Sequence, residues 1–174
     1  MPSWNVVHRK GREYELLNGS GTPIRLSPKA QPDISWLMAR MEELGIPIAY
    51  TMNLEEIYFT FLKGRDHGDY RVGKIRISSN KETKEIMDSV FVHELAHFVD
   101  DMDDVTSNDL LIKEKKQRAK YMPDPYAKKN VGEYLAVGFE VYYLGTDEEK
   151  KRMRKSNPRL YRTIASLHHR FSRK

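Results

Sequence analysis

The sequence predicts an α+β fold, and three observations carry that expectation. Short β-branched and aromatic runs occupy the first 80 residues, helical periodicity takes over after Asn80, and the strands do not alternate with helices as in a parallel α/β sheet. The expected arrangement is a small, mostly antiparallel N-terminal sheet packed on a long helix and followed by a helical C-terminal half. With 174 residues and no repeat, low-complexity tract or long linker, the chain reads as one domain, 1–174, strand-rich over 1–80 and helical over 81–174.

The first thirty residues hold Gly11, Gly19, Gly21, Pro23 and Pro28, which punctuate a strand or two. "DISWLMARMEELG" predicts a helix. Asp33 caps it, Ile34, Leu37, Met38, Met41 and Leu44 form one stripe, and Gly45 stops it. "IPIAYTM" and "EIYFTFL" predict strands. The glycine-rich "KGRDHGD" then leads to "YRVGKIRISS", where Val72, Ile75 and Ile77 alternate with polar residues, so an antiparallel hairpin is expected around that turn. Further on, "KETKEIMDSVFVHELAHFVDDM" spaces Ile86, Val90, Phe91 or Leu95, and Val99 for a helix. "SNDLLIKEKKQRAKYM", closed by "PDP" at 123–125, and the apolar "NVGEYLAVGFEVYYLG" predict two more. Basic helices near 147–155 and 158–172 complete the chain.

Composition narrows the function. Two tryptophans, ten tyrosines and six phenylalanines are too many large apolar groups for a disordered chain, although the mean hydropathy is −0.70. Without cysteine there is neither a disulfide framework nor a thiolate site. No apolar run reaches signal-peptide or membrane-spanning length, so the expected setting is the cytoplasm, with secretion by another route left open and no membrane partner. The net charge of +5 is concentrated in the C-terminal "KKRMRKSNPRLYRTIASLHHRFSRK". No nucleic-acid motif accompanies it, so it reads as a solvated helical face, not a phosphate binder.

The motif that carries chemistry is "VHELAH". On a helix, His93 and His97 lie one turn apart on one face and can direct two imidazoles at one cation. Glu94 sits about 100 degrees round the same helix, beside that cation but not bound to it. The H-E-x-x-H spacing supplies two neutral nitrogens for a metal and a carboxylate for a water. The surrounding residues are apolar, so two histidines and a glutamate buried there need a shared partner such as Zn²⁺. A third ligand is required. His8, His67, His168 and His169 fall in strands, turns or the basic tail. Glu133 stands alone in an apolar helix, and Glu140, two turns further along the same face, is the fallback.

"VHELAHFVDD" followed about 36 residues later by "NVGEYLAVGFE" resembles the catalytic domain of anthrax lethal factor and the related Pro-Pro endopeptidases, zinc metallopeptidases of the HExxH…E gluzincin type. The resemblance runs over about residues 75–172. It implies a zincin-like fold, with His93, His97 and Glu133 as zinc ligands and Glu94 as general base. It also implies a role for Tyr126, seven residues before the glutamate, in stabilising the oxyanion of a tetrahedral intermediate. Many gluzincins have an acid four residues after the ligand glutamate to orient a histidine; here Val137 occupies that place. Asp100 and Asp101 are the nearby candidates to substitute, and a backbone carbonyl would also serve.

The resemblance thus implies a zinc-dependent endopeptidase acting on a protein or peptide. The strand at 72–79, with Lys74 and Arg76, is the expected edge for substrate to join. The other reading is a non-catalytic zinc-binding or regulatory module that acts through a protein or nucleic-acid partner.

Overall fold

The computed structural model describes residues 5–8, 14–17, 23–26, 31–51, 54, 56–60, 67–78 and 84–173. Strands β1 (Asn5–His8), β2 (Tyr14–Leu17) and β3 (Pro23–Leu26) form an antiparallel meander, and α1 (Gln31–Glu43) follows. Strands β4 (Glu56–Thr60), β5 (Gly68–Arg71) and β6 (Lys74–Ser78) complete a sheet in the order β1-β2-β3-β4-β6-β5. Helices α2 (Lys84–Asp103), α3 (Asp109–Arg118), α4 (Val131–Leu144), α5 (Asp147–Ser156) and α6 (Pro158–Phe171) make up the rest. The expected α+β class holds, and three of the five strand pairings are antiparallel.

The sheet departs from expectation where its topology is non-local. The predicted antiparallel pairing of 56–62 with 70–79 does not form; β4 lies parallel to β6, with Ile57 opposite Ile75. The hairpin is inside "YRVGKIRISS" itself, because Val72 (φ 25°) and Gly73 (φ 77°) turn the chain between β5 and β6. Positive φ at both central residues matches the right-handed twist of flanking strands. In consequence β6 is interior and β5 is the edge, so 72–79 is not the edge that the sequence predicted. Arg76 is committed to Asp69 across the hairpin, with Nε to Oδ1 at 2.5 Å, and its charge is met within the protein. The glycine-rich turn lies in part outside the described residues.

A second correction concerns "IPIAYTM", which is not a strand. Ile48–Thr51 form a 3-10 turn, closed by Tyr50 N donating to Pro47 O at 3.0 Å. Burial overrides β propensity here, for Ile46, Ala49, Tyr50 and Thr51 are all buried, a demand that an alternating strand does not make. The Tyr50 ring packs on Phe139, Tyr143 and Phe171. Helix α1 starts at Gln31, two residues before the predicted cap at Asp33. It ends as predicted: Gly45 at φ 64° lets Ile46 N reach Met41 O at 3.0 Å.

Helix α2 runs between the sheet and the helical half, touching β5 and β6 on one side and α4 on the other. Its buried stripe is Met87, Phe91, Leu95 and Val99, while the predicted Ile86 faces outward at 40% exposure. Helix α4 is buried along most of its length. It crosses α6 at Gly138, where a Cβ would come within 2.8 Å of Leu160 and 2.9 Å of Ile164. Helix α6 buries Leu160, Ile164, Leu167 and Phe171, which leaves its arginines on the outer face. No described helix is long and apolar enough to cross a membrane.

Candidate functional site

The site forms where α2 meets the N-terminal turn of α4. Asn130 caps α4 by accepting from Glu133 N at 2.8 Å, which fixes Glu133 in the first turn. A carboxylate there is favoured by the helix dipole. Opposite it, α2 presents His93 and His97 one turn apart, with ring centroids 5.1 Å apart. Glu133 Oε2 lies 2.9 Å from His93 Nε2 and 3.4 Å from His97 Nε2. One donor atom from each of His93, His97 and Glu133 falls within a mutual 4.8 Å. Two imidazole nitrogens and a carboxylate oxygen, converging from two helices, suit Zn²⁺ or a similar borderline cation.

Charge in this cluster is shared between the imidazoles and the carboxylates around them. Burial would lower the His93 pKa, but hydrogen bonds to Glu133 and Glu140 outweigh it and push it up to about 10. Burial would raise Glu133, yet the two histidines hold it well below the usual carboxylate range. Glu94, 8% exposed, is pushed up to about 7 by burial, with the neighbouring histidines opposing.

An open cleft of about 400 Å³ gives access, lined by His67, Gly68, Ser89, Val90, His93, Glu94, Tyr126 and Glu140. Edge strand β5 enters this lining through Gly68. A Cβ at that position would lie 2.4 Å from Val90 Cγ1 and 3.3 Å from Glu94 Cγ, so only glycine lets the strand sit this close to α2. Tyr126, 44% exposed, stands across the cleft with its ring centroid 6.0 Å from that of His93. Lys129 Nζ donates to the Tyr126 hydroxyl at 2.8 Å and stands 3.6 Å from Glu133 Oε1.

The sequence-predicted residues His93, Glu94, His97, Tyr126 and Glu133 therefore meet at one place. Asp100 and Asp101 do not join them as partners for a histidine. Asp100 accepts from Thr106 N and Oγ1, both at 2.7 Å, and Asp101 accepts from Tyr70 Oη at 2.6 Å. The acceptor for His93 Nδ1 is Glu140 Oε1 at 2.8 Å, and Ser89 donates to the other oxygen of Glu140. Glu140 thus meets His93 through Nδ1, and it lies outside the group of three converging donor atoms. Ser89 is four residues before His93 and so one turn away on the same face, a spacing that could have flagged it. Lys129, four before Glu133, could have been flagged in the same way.

Among solved structures, the Pro-Pro endopeptidase PPEP-2 from Paenibacillus alvei matches with a TM-score of 0.59 and 21% identity, covering 79% of this chain and 91% of that one. At that identity the likeness establishes the fold. No individual curated protein matches the chain. A family model described as the N- and C-terminal domain of anthrax toxin lethal factor matches residues 58–167, well over half of the chain and including both histidines and Glu133, and the chain belongs to that family.

Proposed function

We propose that this protein is a zinc-dependent endopeptidase of the HExxH…E type. His93, His97 and Glu133 would hold the metal, which supplies a Lewis acid for the scissile carbonyl and lowers the pKa of the attacking water. Glu94 takes the proton that the water gives up and returns it to the departing nitrogen as the C–N bond breaks. Tyr126 donates its phenolic hydrogen to the oxygen that becomes charged in the tetrahedral intermediate. Lys129 donates to the Tyr126 oxygen, which leaves the phenol's own hydrogen available for substrate.

Peptide backbone has a natural place along the outer side of β5, the edge strand among the described residues, whose first residue, Gly68, borders Glu94 in the cleft. An added strand there would run its carbonyls past the metal ligands. The observation that carries the proposal is the convergence of three donor atoms within 4.8 Å of one another, with a buried carboxylate one residue from the first histidine.

The test is cleavage of a mixed peptide library by zinc-loaded protein, with and without a chelator. Glu94→Gln should keep one zinc per chain and lose turnover by about a thousandfold or more. A protein that binds zinc and cleaves nothing is a metal-binding module instead, and turnover surviving in Glu94→Gln removes that residue from the mechanism.

A further inference from the structure

We infer that Ser89 and Glu140 act as a pair of positioning residues that fix the orientation and tautomer of His93. The inference rests on the reading of His93 as a metal ligand.

Glu140 projects from the middle of an apolar helix, and its side chain is 24% exposed. Both oxygens of its carboxylate are met by donors from the protein. Oε1 takes His93 Nδ1–H at 2.8 Å, and Oε2 takes the Ser89 hydroxyl. The serine adds weight to the argument. A serine inside a helix ordinarily turns its hydroxyl back to the carbonyl one turn earlier. Ser89 instead reaches from α2 to an acid 51 residues later on α4. The chain Ser89 Oγ–H to Glu140 to His93 Nδ1–H ties the two helices together on the side of the imidazole away from Glu133.

The consequence for His93 is chemical. With Nδ1–H held by Glu140, Nε2, the atom 2.9 Å from Glu133 Oε2, is the nitrogen that faces the place of a cation between His93, His97 and Glu133. Nε2 is thus the nitrogen that would give up its proton and ligate when a cation binds, while Nδ1–H stays with Glu140. Val137, four residues after Glu133, is 2% exposed and apolar, so it offers no acceptor. One turn further on, Glu140 supplies it, and Ser89 keeps the Glu140 carboxylate from rotating away. Ser89 and Glu140 also line both the cleft and an adjoining cavity of about 680 Å³, so the Glu140 carboxylate borders open space, and the Ser89 hydroxyl is one of the two donors that hold it.

The experiment measures zinc affinity by chelator competition in full-length protein. Glu140→Ala and Glu140→Ser should weaken zinc binding by about 10- to 100-fold, the usual consequence of removing a histidine's outer partner. Ser89→Ala should weaken it by roughly threefold to tenfold, and Ser89→Thr, which keeps the hydroxyl, should restore it. Asp100→Asn, outside the relay, serves as the unchanged control. A second readout separates positioning from simple packing: the ¹⁵N resonances of the His93 ring in zinc-loaded protein. Wild type should show a protonated, slowly exchanging Nδ1, and Ser89→Ala should speed that exchange. Affinities within twofold of wild type in Ser89→Ala and both Glu140 variants, or an unchanged Nδ1 signal, overturn the inference while leaving the peptidase proposal standing. A wild-type chain that takes up no zinc overturns both.

Discussion

Two buried glutamates, Glu114 and Glu133, are each 9% exposed, and they solve the same desolvation problem in opposite ways. Glu114, on α3, is closed by donors that always carry hydrogen. Its oxygens accept from Arg159 N and Leu160 N at 2.8 Å and from Tyr134 Oη at 3.1 Å. It caps α6 from a distance, because Asn157 makes no side-chain cap there. Asn157 instead donates to Tyr134 Oη at 2.7 Å and completes the network. Glu133 faces two imidazole nitrogens, which donate only when protonated, and an exposed lysine at 3.6 Å. Burial of an acid therefore does not mark a functional site by itself. The mark is a buried acid whose partners are groups that could share a cation with it, and not permanent donors.

The largest test of this contrast uses zinc as a stabiliser. A ligand that binds only the folded chain adds about 4 kcal/mol at a thousand times its dissociation constant. Thermal unfolding of wild type should shift upward with zinc by a corresponding amount, and Glu133→Ala should lose that shift. Glu114→Ala should do the reverse. It orphans two backbone N–H groups and a buried phenol, at about 3 kcal/mol in total. Its unfolding midpoint should drop, and the zinc-induced shift should remain. If Glu114→Ala removes the zinc shift as well, the two networks are coupled and the contrast fails.

Two glycines repeat the comparison at close contacts. Gly68 brings β5 against Glu94, whereas Gly138 brings α4 against Leu160 and Ile164. Gly68→Ala should displace the edge strand beside the cleft and lower kcat/KM by about 100-fold, the scale of an ångström of misplacement near the chemistry. Gly138→Ala overpacks a helix crossing and should cost about 1–3 kcal/mol of stability, with zinc affinity retained. Kinetics and denaturant titration of both variants, side by side, decide whether the two contacts separate in this way.

The same contrast explains what the sequence disclosed. His93, Glu94 and His97 were legible because helical spacing is local, and Glu133 because a lone acid in an apolar helix is conspicuous. Glu114 was hidden in "KEKKQR", where nothing distinguishes one acid among lysines; its burial is decided by how α3 lies under the start of α6. The acceptor for His93 was misread for a related reason. Asp100 and Asp101 are near His97 in sequence, but each is held by a partner of its own, and the acid that reaches His93 is 47 residues away on another helix. Strand order was the least legible part. Val72 and Gly73 within an alternating run signal a turn, yet whether the second strand then pairs parallel or antiparallel with β4 depends on a crossover that no local pattern specifies.

A third carboxylate, Glu149 on the surface, sets the small end of the scale. It forms a capping box with Thr146 at the start of α5: Thr146 N donates to Glu149 at 2.8 Å, and Glu149 N donates to Thr146 Oγ1 at 3.3 Å. The hydrogen bonds from Thr146 N and Oγ1 hold the Glu149 pKa below its ordinary value of 4.5. A carboxyl group whose pKa is depressed on folding binds its proton more readily in the unfolded chain, so its stabilisation is present above the unfolded value and fades as pH falls through the folded one. Glu149→Ala should therefore be slightly less stable than wild type at pH 7, and the gap should narrow as pH is lowered below 4.5. Urea titrations of both proteins across that range provide the check. A gap that stays constant with pH would assign the effect to helix propensity and packing and not to charge. Zinc affinity should be the same in both proteins, since the box touches neither histidine and its donors are fixed hydrogens, like those around Glu114.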